Sequence, residues 1–162
     1  MEQINQLYLE MIRYEQGCPA RIQHFTKVFA FAKLIGESER LDADTQFLLE
    51  SAALVHDIGI RMAEEKYKTC TGTLQEQLGP AIAKEMLVRL NFKEAEIERI
   101  CFLVGHHHTY NHVQGLDYQI LLEADFLVNL YEGQQDQSAA RRAYQQIFCT
   151  ETGKKICEQM FL

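Results

Sequence analysis

The sequence of 162 residues is poor in residues that break helices, with only two prolines and nine glycines. An all-β domain needs frequent turn signals between short strands, and these are missing. Instead of the alternation typical of strands, the apolar residues recur mostly at spacings of three and four. We therefore predict an all-α fold whose core is formed by contacts between helices.

Basic residues are also scarce, since 16 Lys and Arg stand against 23 Asp and Glu and give a formal net charge of −7. A chain with this charge has no electrostatic footprint for duplex DNA, long RNA or an anionic membrane surface. We expect none of these as partners. A small anionic substrate would need positive charge supplied locally.

Long apolar runs and a secretory leader are missing as well. The segment 1–5 has neither the basic nor the apolar region of a signal peptide, and no apolar run approaches the ~20 residues that span a bilayer. The five cysteines form an odd set without a C-x-x-C pair, which favours free thiols in a reducing compartment. These features predict a cytoplasmic protein.

The length and the 47% hydrophobic residues are typical of one globular domain. No repeat, low-complexity tract or long linker divides the chain. We predict a single compact domain over residues 1–162 with about six to eight helices. Helices within 133–162 are expected to pack on a core that carries the functional motifs, at about 20–130.

Caps and helix breakers indicate where the helices begin and end. Pro19 suits a first helical turn, Asp42 is a candidate N-cap, and Gly59 is a candidate stop. The predicted helices cover about 2–16, 19–37, 42–59, 74–90, 93–107, 117–131, 133–148 and 152–161. Between 60 and 73 the sequence indicates a partly irregular flap. Pro80 lies inside the predicted helix 74–90 and indicates that this helix begins at Pro80.

Two polar residues occupy helix faces that are otherwise apolar. His24 shares a face with Val28 and Phe31, and Asp125 lies among leucines such as Leu122. A buried carboxylate must be paired, hydrogen-bonded, protonated or bound to a cation. Both residues are candidate metal ligands. The alternatives are a core histidine bonded to the backbone and a structural ion pair.

The dipeptide His56-Asp57, followed by Ile58-Gly59, ends a helix that the sequence predicts to be buried. An imidazole and a carboxylate near a helix end can converge on one ion. This pair of ligands suits Mn, Fe, Zn, Co or Ni better than Ca or Mg alone.

A cluster of histidines follows at His106, His107 and His108, with His112 shortly after it. His107 continues the apolar stripe that includes Val104, so we expect it to face inward. For His108 and His112 a solvated helix end is the favoured interpretation.

The ordered set of these residues resembles the HD superfamily of metal-dependent phosphohydrolases over about residues 20–130. The resemblance implies an HD-type helical domain holding a divalent ion, one of Mn, Fe, Co, Ni, Zn or Mg, that activates water for attack on phosphorus. The ligands that it implies are His24, His56, Asp57 and Asp125.

The resemblance leaves a second metal open. Binuclear members use two further histidines, and His106 or His107 meets the second of these positions. Gln75 or Glu76 stands where the first is expected. The Gly-Tyr-Pro signature of the cyclic-dinucleotide phosphodiesterase branch is absent from the sequence, so we do not assign that activity.

The implied reaction is hydrolysis of a small phosphate ester or anhydride, with a nucleotide as the expected substrate. Asp57 would ligate the metal and orient the water, and His107 would ligate a second metal or donate to the phosphoryl group. Arg61, Lys66 and Lys68 are candidates for holding phosphate oxygens, and a solvated basic turn is the alternative.

The sequence leaves two other functions open. One is a di-iron oxygenase with the same fold, and the other is a non-catalytic, metal-binding regulatory module. The first and last helices carry aromatic residues that could supply a homodimer interface.

Overall fold

A computed structural model describes residues 2–162, and within this range all regular secondary structure is helical. The helices are α1 Glu2–Tyr14, α2 Pro19–Ser38, α3 Ala43–Val55, α4 Ile60–Tyr67, α5 Gly72–Arg89, α6 Glu94–Val104, α7 Leu116–Glu132, α8 Gln137–Gln146 and α9 Glu151–Phe161. The all-α prediction is confirmed. Among residues 2–162 no helix is long and apolar enough to cross a bilayer.

Short-range chemistry explains several helix ends. The Asp42 carboxylate accepts hydrogen bonds from the backbone N–H groups of Asp44 and Thr45, so it caps α3 as the sequence predicts. Pro19 begins α2, where its missing N–H would be unpaired in any case. Thr150 caps α9 by accepting from the backbone N–H of Gly153.

The centre of the domain is formed by α2, α3 and α7. Helix α2 packs against both α3 and α7, and α3 also contacts α6 and α7. Val28, Leu54 and Leu121 are fully buried between these helices. Helices α8 and α9 contact each other and α7. Burial of these apolar faces stabilises the fold and brings α2, α7 and the end of α3 side by side.

Of the segment 60–73, predicted to be a partly irregular flap, residues 60–67 form the helix α4, which the sequence pattern does not predict, and residues 68–71 are irregular. Ala63 in α4 is fully buried. Eight residues are about two turns, which is too short for a clear apolar period. The helix ends at Lys68, whose φ of 58° is left-handed.

The prediction that a helix begins at Pro80 is wrong, because α5 begins at Gly72 and continues through the proline. The side chain of Thr71 caps its first turn. Proline removes one intrahelical hydrogen bond, and packing against α6 compensates for it. Gly105 lets α6 approach closely, since a Cβ atom there would lie 3.1 Å from the Pro80 ring.

Candidate metal centre

Four predicted ligands meet in the interior, from α2, the turn after α3, and α7. His24 Nε2 lies 3.3 Å from His56 Nε2 and 3.2 Å from Asp125 Oδ1. Asp57 Oδ2 lies 3.3 Å from His24 Nε2 and 3.4 Å from His56 Nε2. His56 is fully buried, and the side chain of Asp125 is 5% exposed. The structure therefore places a compact group of nitrogen and oxygen atoms away from solvent.

The donor chemistry of this group fits a divalent cation. Nδ1 of His24 lies 2.7 Å from Glu132 Oε2, and Nδ1 of His56 lies 2.9 Å from the Ala53 carbonyl oxygen. Both partners are acceptors, which assigns the hydrogen to Nδ1 and leaves a lone pair on each Nε2. Four acceptor atoms thus face one another, and a cation between them satisfies all four.

The spacing of these atoms also suits an ion. Ligands held at about 2.1 Å from a tetrahedral or octahedral ion lie about 3.0–3.4 Å from one another. Each of the two Nε2 atoms lies 3.2 to 3.5 Å from the other and from one carboxylate oxygen of Asp57 and of Asp125. The alternative of a structural ion pair with Arg or Lys does not apply to Asp125, because its partners are the two histidines.

The pKa values in the centre reflect the same charge balance. Burial acts to lower the pKa of His56, but the carboxylates of Asp57 and Asp125 raise it well above its ordinary value. Burial also acts to lower the pKa of His24, but the hydrogen bond with Asp125 outweighs burial and the pKa is raised. The pKa of Asp57 is held well below its usual range, since His56 and His107 outweigh its burial. Positive charge is therefore strongly favoured here.

A second group of ligand atoms adjoins the first through Asp57. Its Oδ1 lies 3.2 Å from His107 Nε2, whereas its Oδ2 faces the first group. His107 donates from Nδ1 to the Val104 carbonyl oxygen, so its Nε2 is also free to accept. Asp57, His107 and His108 together could hold another ion. Gln75 Oε1 lies 2.8 Å from His108 Nε2 and 3.3 Å from His107 Nε2.

The structure corrects the interpretation of His108 as a solvated helix end. Burial and the neighbouring His107 lower its pKa, which keeps the imidazole neutral and suited to ligation. Helix α6 ends at Val104, so the turn after it does not follow the helical wheel and adjacent histidines can converge. No sequence signal identified His108, because the predicted helix extended to 107 whereas α6 ends at Val104; His112 is exposed.

His106 and Glu76, the other residues left open for the second group, point elsewhere. His106 donates to the Phe102 carbonyl oxygen, and its ring stacks on Phe102 at a centroid distance of 4.1 Å. Glu76 accepts from the backbone N–H of His108 and from the Thr109 hydroxyl, both at 2.9 Å. Glu76 thus holds the histidine loop in place without facing the ion position.

The three basic residues predicted to hold phosphate do not line the cavity beside Asp57. Arg61 donates to the Tyr14 carbonyl oxygen, and Lys68 donates to that of Glu65 at 3.0 Å. Lys66 lies over the ring of Tyr67, at 5.9 Å from its centroid. Arg61 and Lys66 lie on helix α4 and Lys68 directly follows it. Contacts with α1 and within this segment direct the three side chains away from the metal centre.

Arg21 is the basic residue that lines this cavity, whose volume is about 340 Å³. Its guanidinium lies 2.9 Å from the buried carboxylate of Glu15 and 2.5 Å from that of Glu64. It stands three residues before His24 on α2, and that spacing is the signal that sequence reasoning missed.

Glu132 is a second residue that sequence reasoning missed. It follows Asp125 by seven residues on α7, which places both on one helix face. Its carboxylate contacts His24 Nδ1 at 2.7 Å and Lys27 Nζ at 2.6 Å. Carboxylates in this position orient a ligating imidazole and fix its tautomer.

Comparison with known proteins identifies relatives of this chain. The model of the HD domain family matches residues 21–141. A protein from an uncultured Thermotogales bacterium, described as a predicted HD superfamily hydrolase, is 23% identical with a TM-score of 0.67, covering 98% of this chain and 83% of its own. Bacillus subtilis YpgQ is 18% identical with a TM-score of 0.64, covering 98% and 87%. At these identities the two structures show the shared fold. No curated protein matches the chain.

Proposed function

This chain belongs to the HD domain family, and we propose that it is a metal-dependent phosphohydrolase acting on a small phosphate ester or anhydride, with a nucleotide as substrate. The observation that carries the proposal is the buried group of four acceptor atoms on His24, His56, Asp57 and Asp125. A cation there would neutralise the carboxylates and still face the cavity on the side of Asp57, whose side chain is 22% exposed.

His24, His56, Asp57 and Asp125 would hold a divalent ion, which would lower the pKa of a water molecule and supply positive charge for a phosphoryl group. Asp57 contributes one carboxylate oxygen to the ion position and keeps the other toward His107. This arrangement fixes the orientation of both side chains. His107 Nε2, beside Asp57 Oδ1, could accept a second ion; only in its imidazolium form could it instead donate from Nε2 to an oxygen of the substrate.

Arg21 is our candidate for holding the phosphate. Glu15, which is 2% exposed, keeps the guanidinium in place from one side. Glu64 on α4 is 51% exposed, so a phosphate could replace its carboxylate as the second partner of Arg21 without burying an unpaired charge. Local positive charge of this kind allows a protein of net charge −7 to bind a small anion.

The di-iron oxygenase alternative draws support from one observation, the second group of Asp57, His107 and His108. Oxygenation needs two irons, whereas hydrolysis of a phosphate ester can use one ion or two. Anaerobic purification with metal analysis and a visible spectrum separates the two functions. A stoichiometric di-iron chromophore would favour oxygenation.

The test of hydrolysis uses protein stripped of metal and reloaded with Mn, Co, Ni, Zn or Mg. An aryl phosphate and a panel of nucleotides are the substrates. We expect metal-dependent release of phosphate, at least about 100-fold weaker in Asp57→Ala. Asp44→Ala, which removes an exposed carboxylate on α3, is the control and should remain active. Wild-type protein that is inactive with every metal and substrate would overturn the proposal.

A further inference from the structure

A second cavity, of about 350 Å³, lies between α7 and α8 beside the cavity of the metal centre. We refer to it as the α7–α8 cavity. Asn129 lines both cavities. It follows Asp125 by one helical turn on α7, which is about 6 Å along the helix axis. A ligand whose charged end lies at the metal centre can therefore extend past Asn129 into the α7–α8 cavity.

The floor and one wall of the α7–α8 cavity are apolar and aromatic. Leu130, Ala143 and Ile147 form its buried floor. Tyr110 and Phe126 form the wall, with ring centroids 5.2 Å apart and planes at 71°. Burial raises the pKa of Tyr110, and the charge of Asp125 contributes, which is consistent with a position near the metal centre.

Amide side chains surround the opening. Asn129, Gln135 and Gln146 each offer donors and an acceptor, and Arg142 is the one cation among the described lining residues. No carboxylate is found among those residues. Arg142 donates to Ser138 at 2.8 Å on its own helix. The opening thus provides neutral groups that can form hydrogen bonds in either direction.

An apolar floor, aromatic walls and neutral amides suit a planar heteroaromatic ring. Such a ring stacks on aromatic side chains through its face and bonds to amides through its edge. A sugar phosphate without a ring of this kind would leave the floor uncovered, and an alkyl chain would leave the amides unpaired. The cavity volume lies within the range of small-molecule sites, about 300–1,000 Å³.

We propose that the α7–α8 cavity holds the base of a nucleotide whose phosphate lies at the metal centre. This inference rests on the proposed function for the position of the phosphate. Tyr110 and Phe126 supply the stacking surface, and the amides contact the edge of the base. Asn129 lies between the two cavities, where the sugar passes.

The test fills the cavity without touching the metal ligands. Ala139 lines it from α8 and is half-buried, so Ala139→Phe places a ring inside the cavity. Gln145→Phe is the matched control, because Gln145 is exposed on the same helix and lies outside the lining. Titration calorimetry then measures binding of the four common nucleosides, which carry no phosphate and need no metal. We expect Kd to rise at least about tenfold in Ala139→Phe and to stay at the wild-type value in Gln145→Phe.

If Ala139→Phe does not fold, a second pair of variants, both at Tyr110, tests the same inference. Tyr110 is 47% exposed in a loop, so Tyr110→Leu removes the stacking face at little cost to the core. Tyr110→Phe keeps the ring and should bind nucleosides as the wild type does, whereas Tyr110→Leu should bind them more weakly. Circular dichroism and the melting temperature establish that each variant is folded.

Hydrolysis supplies the second readout. For the Ala139→Phe variant we expect kcat/KM to fall about tenfold for nucleoside monophosphates and to stay unchanged for ribose 5-phosphate. Equal losses for both substrates, or wild-type nucleoside binding in every folded variant, would overturn the inference. If the wild-type protein hydrolyses ribose 5-phosphate but binds no nucleoside, the base-binding cavity is overturned and the proposed phosphohydrolase function is not. Nucleoside binding without hydrolysis under any metal overturns the proposed function and leaves the base-binding cavity supported.

Discussion

His24 and His56 face each other through their Nε2 atoms at 3.3 Å, in a part of the interior where both side chains are buried. Each Nδ1 has an acceptor as its partner, so both Nε2 atoms present lone pairs. Two lone pairs at this distance repel unless a proton or a cation lies between them. The relationship is therefore compatible with a divalent ion held between these helices.

Removal of Asp125 tests whether its carboxylate is a metal ligand or has only a structural role. We expect Asp125→Ala to lose most of its bound metal and the metal-dependent gain in melting temperature. An ion at 100 times its Kd stabilises the fold by about 2.7 kcal/mol, and a chain of this size gains about 2–4 °C per kcal/mol. The expected loss is thus about 5–10 °C by calorimetry, with Asp44→Ala as control. Wild-type metal content in the variant would show that Asp125 is structural.

Metal affinity should rise with pH. The pKa of His24 and His56 is raised in the folded chain by the neighbouring carboxylates, so protons compete more strongly with a metal ion for these imidazoles. A divalent ion must displace those protons, and this cost disappears as pH rises through the raised pKa values. We expect tighter binding at pH 8 than at pH 6 and proton release in calorimetry with two buffers of different ionisation enthalpy. An affinity that does not change with pH would contradict this prediction.

Glu132 should act on the metal through His24. Loss of a carboxylate that orients a ligating imidazole costs about 10–100-fold in metal affinity, and we expect this from Glu132→Ala. Glu132→Gln keeps an acceptor oxygen and should recover part of the affinity. Lys27→Met is the control, because it removes the ion pair with Glu132 and leaves His24 untouched. If Lys27→Met weakened binding as much as Glu132→Ala, the ion pair between Lys27 and Glu132, and not the contact of Glu132 with His24, would determine the affinity.

Arg21 should act on substrate binding and leave metal binding unchanged. We expect Arg21→Met to raise KM for a phosphate substrate about tenfold, because a charge-assisted hydrogen bond is lost. Metal content by elemental analysis should match the wild type. Lys66→Met is the control, since Lys66 does not line the cavity. Equal KM values for both variants would remove Arg21 from the binding site.

His108 should contribute to a second, separate ion. At saturating metal we expect two ions per chain in the wild type and one in His108→Ala, because the first group of ligands is intact. His112→Ala is the control, as His112 is exposed. Counting bound ions by equilibrium dialysis checks the outcome. One ion in both the wild type and His108→Ala would show that the second group binds no metal.

Several elements illustrate which structural features were predictable. The Asp42 cap and Pro19 determine helix ends by contacts within a few residues, so local sequence indicates them. Pro80 breaks the same rules, because contacts between α5 and α6 retain the helix around it. Helix α4 is too short to show a period, and its buried Ala63 is evident only in the folded chain.

The sequence by itself predicted the all-α fold and the four residues that the structure brings together, His24, His56, Asp57 and Asp125. A histidine or aspartate on an apolar stripe, such as His24 or Asp125, is visible from helical spacing alone. The sequence also predicts that His107 faces inward, but only the tertiary structure decided that His108 joins it and His106 does not. His107 and His108 have partners far along the chain, whereas His106 bonds to the nearby Phe102 carbonyl. It also decided that Arg21 reaches the cavity. Side-chain direction at helix ends and across helix pairs depends on long-range packing, which residue spacing does not encode.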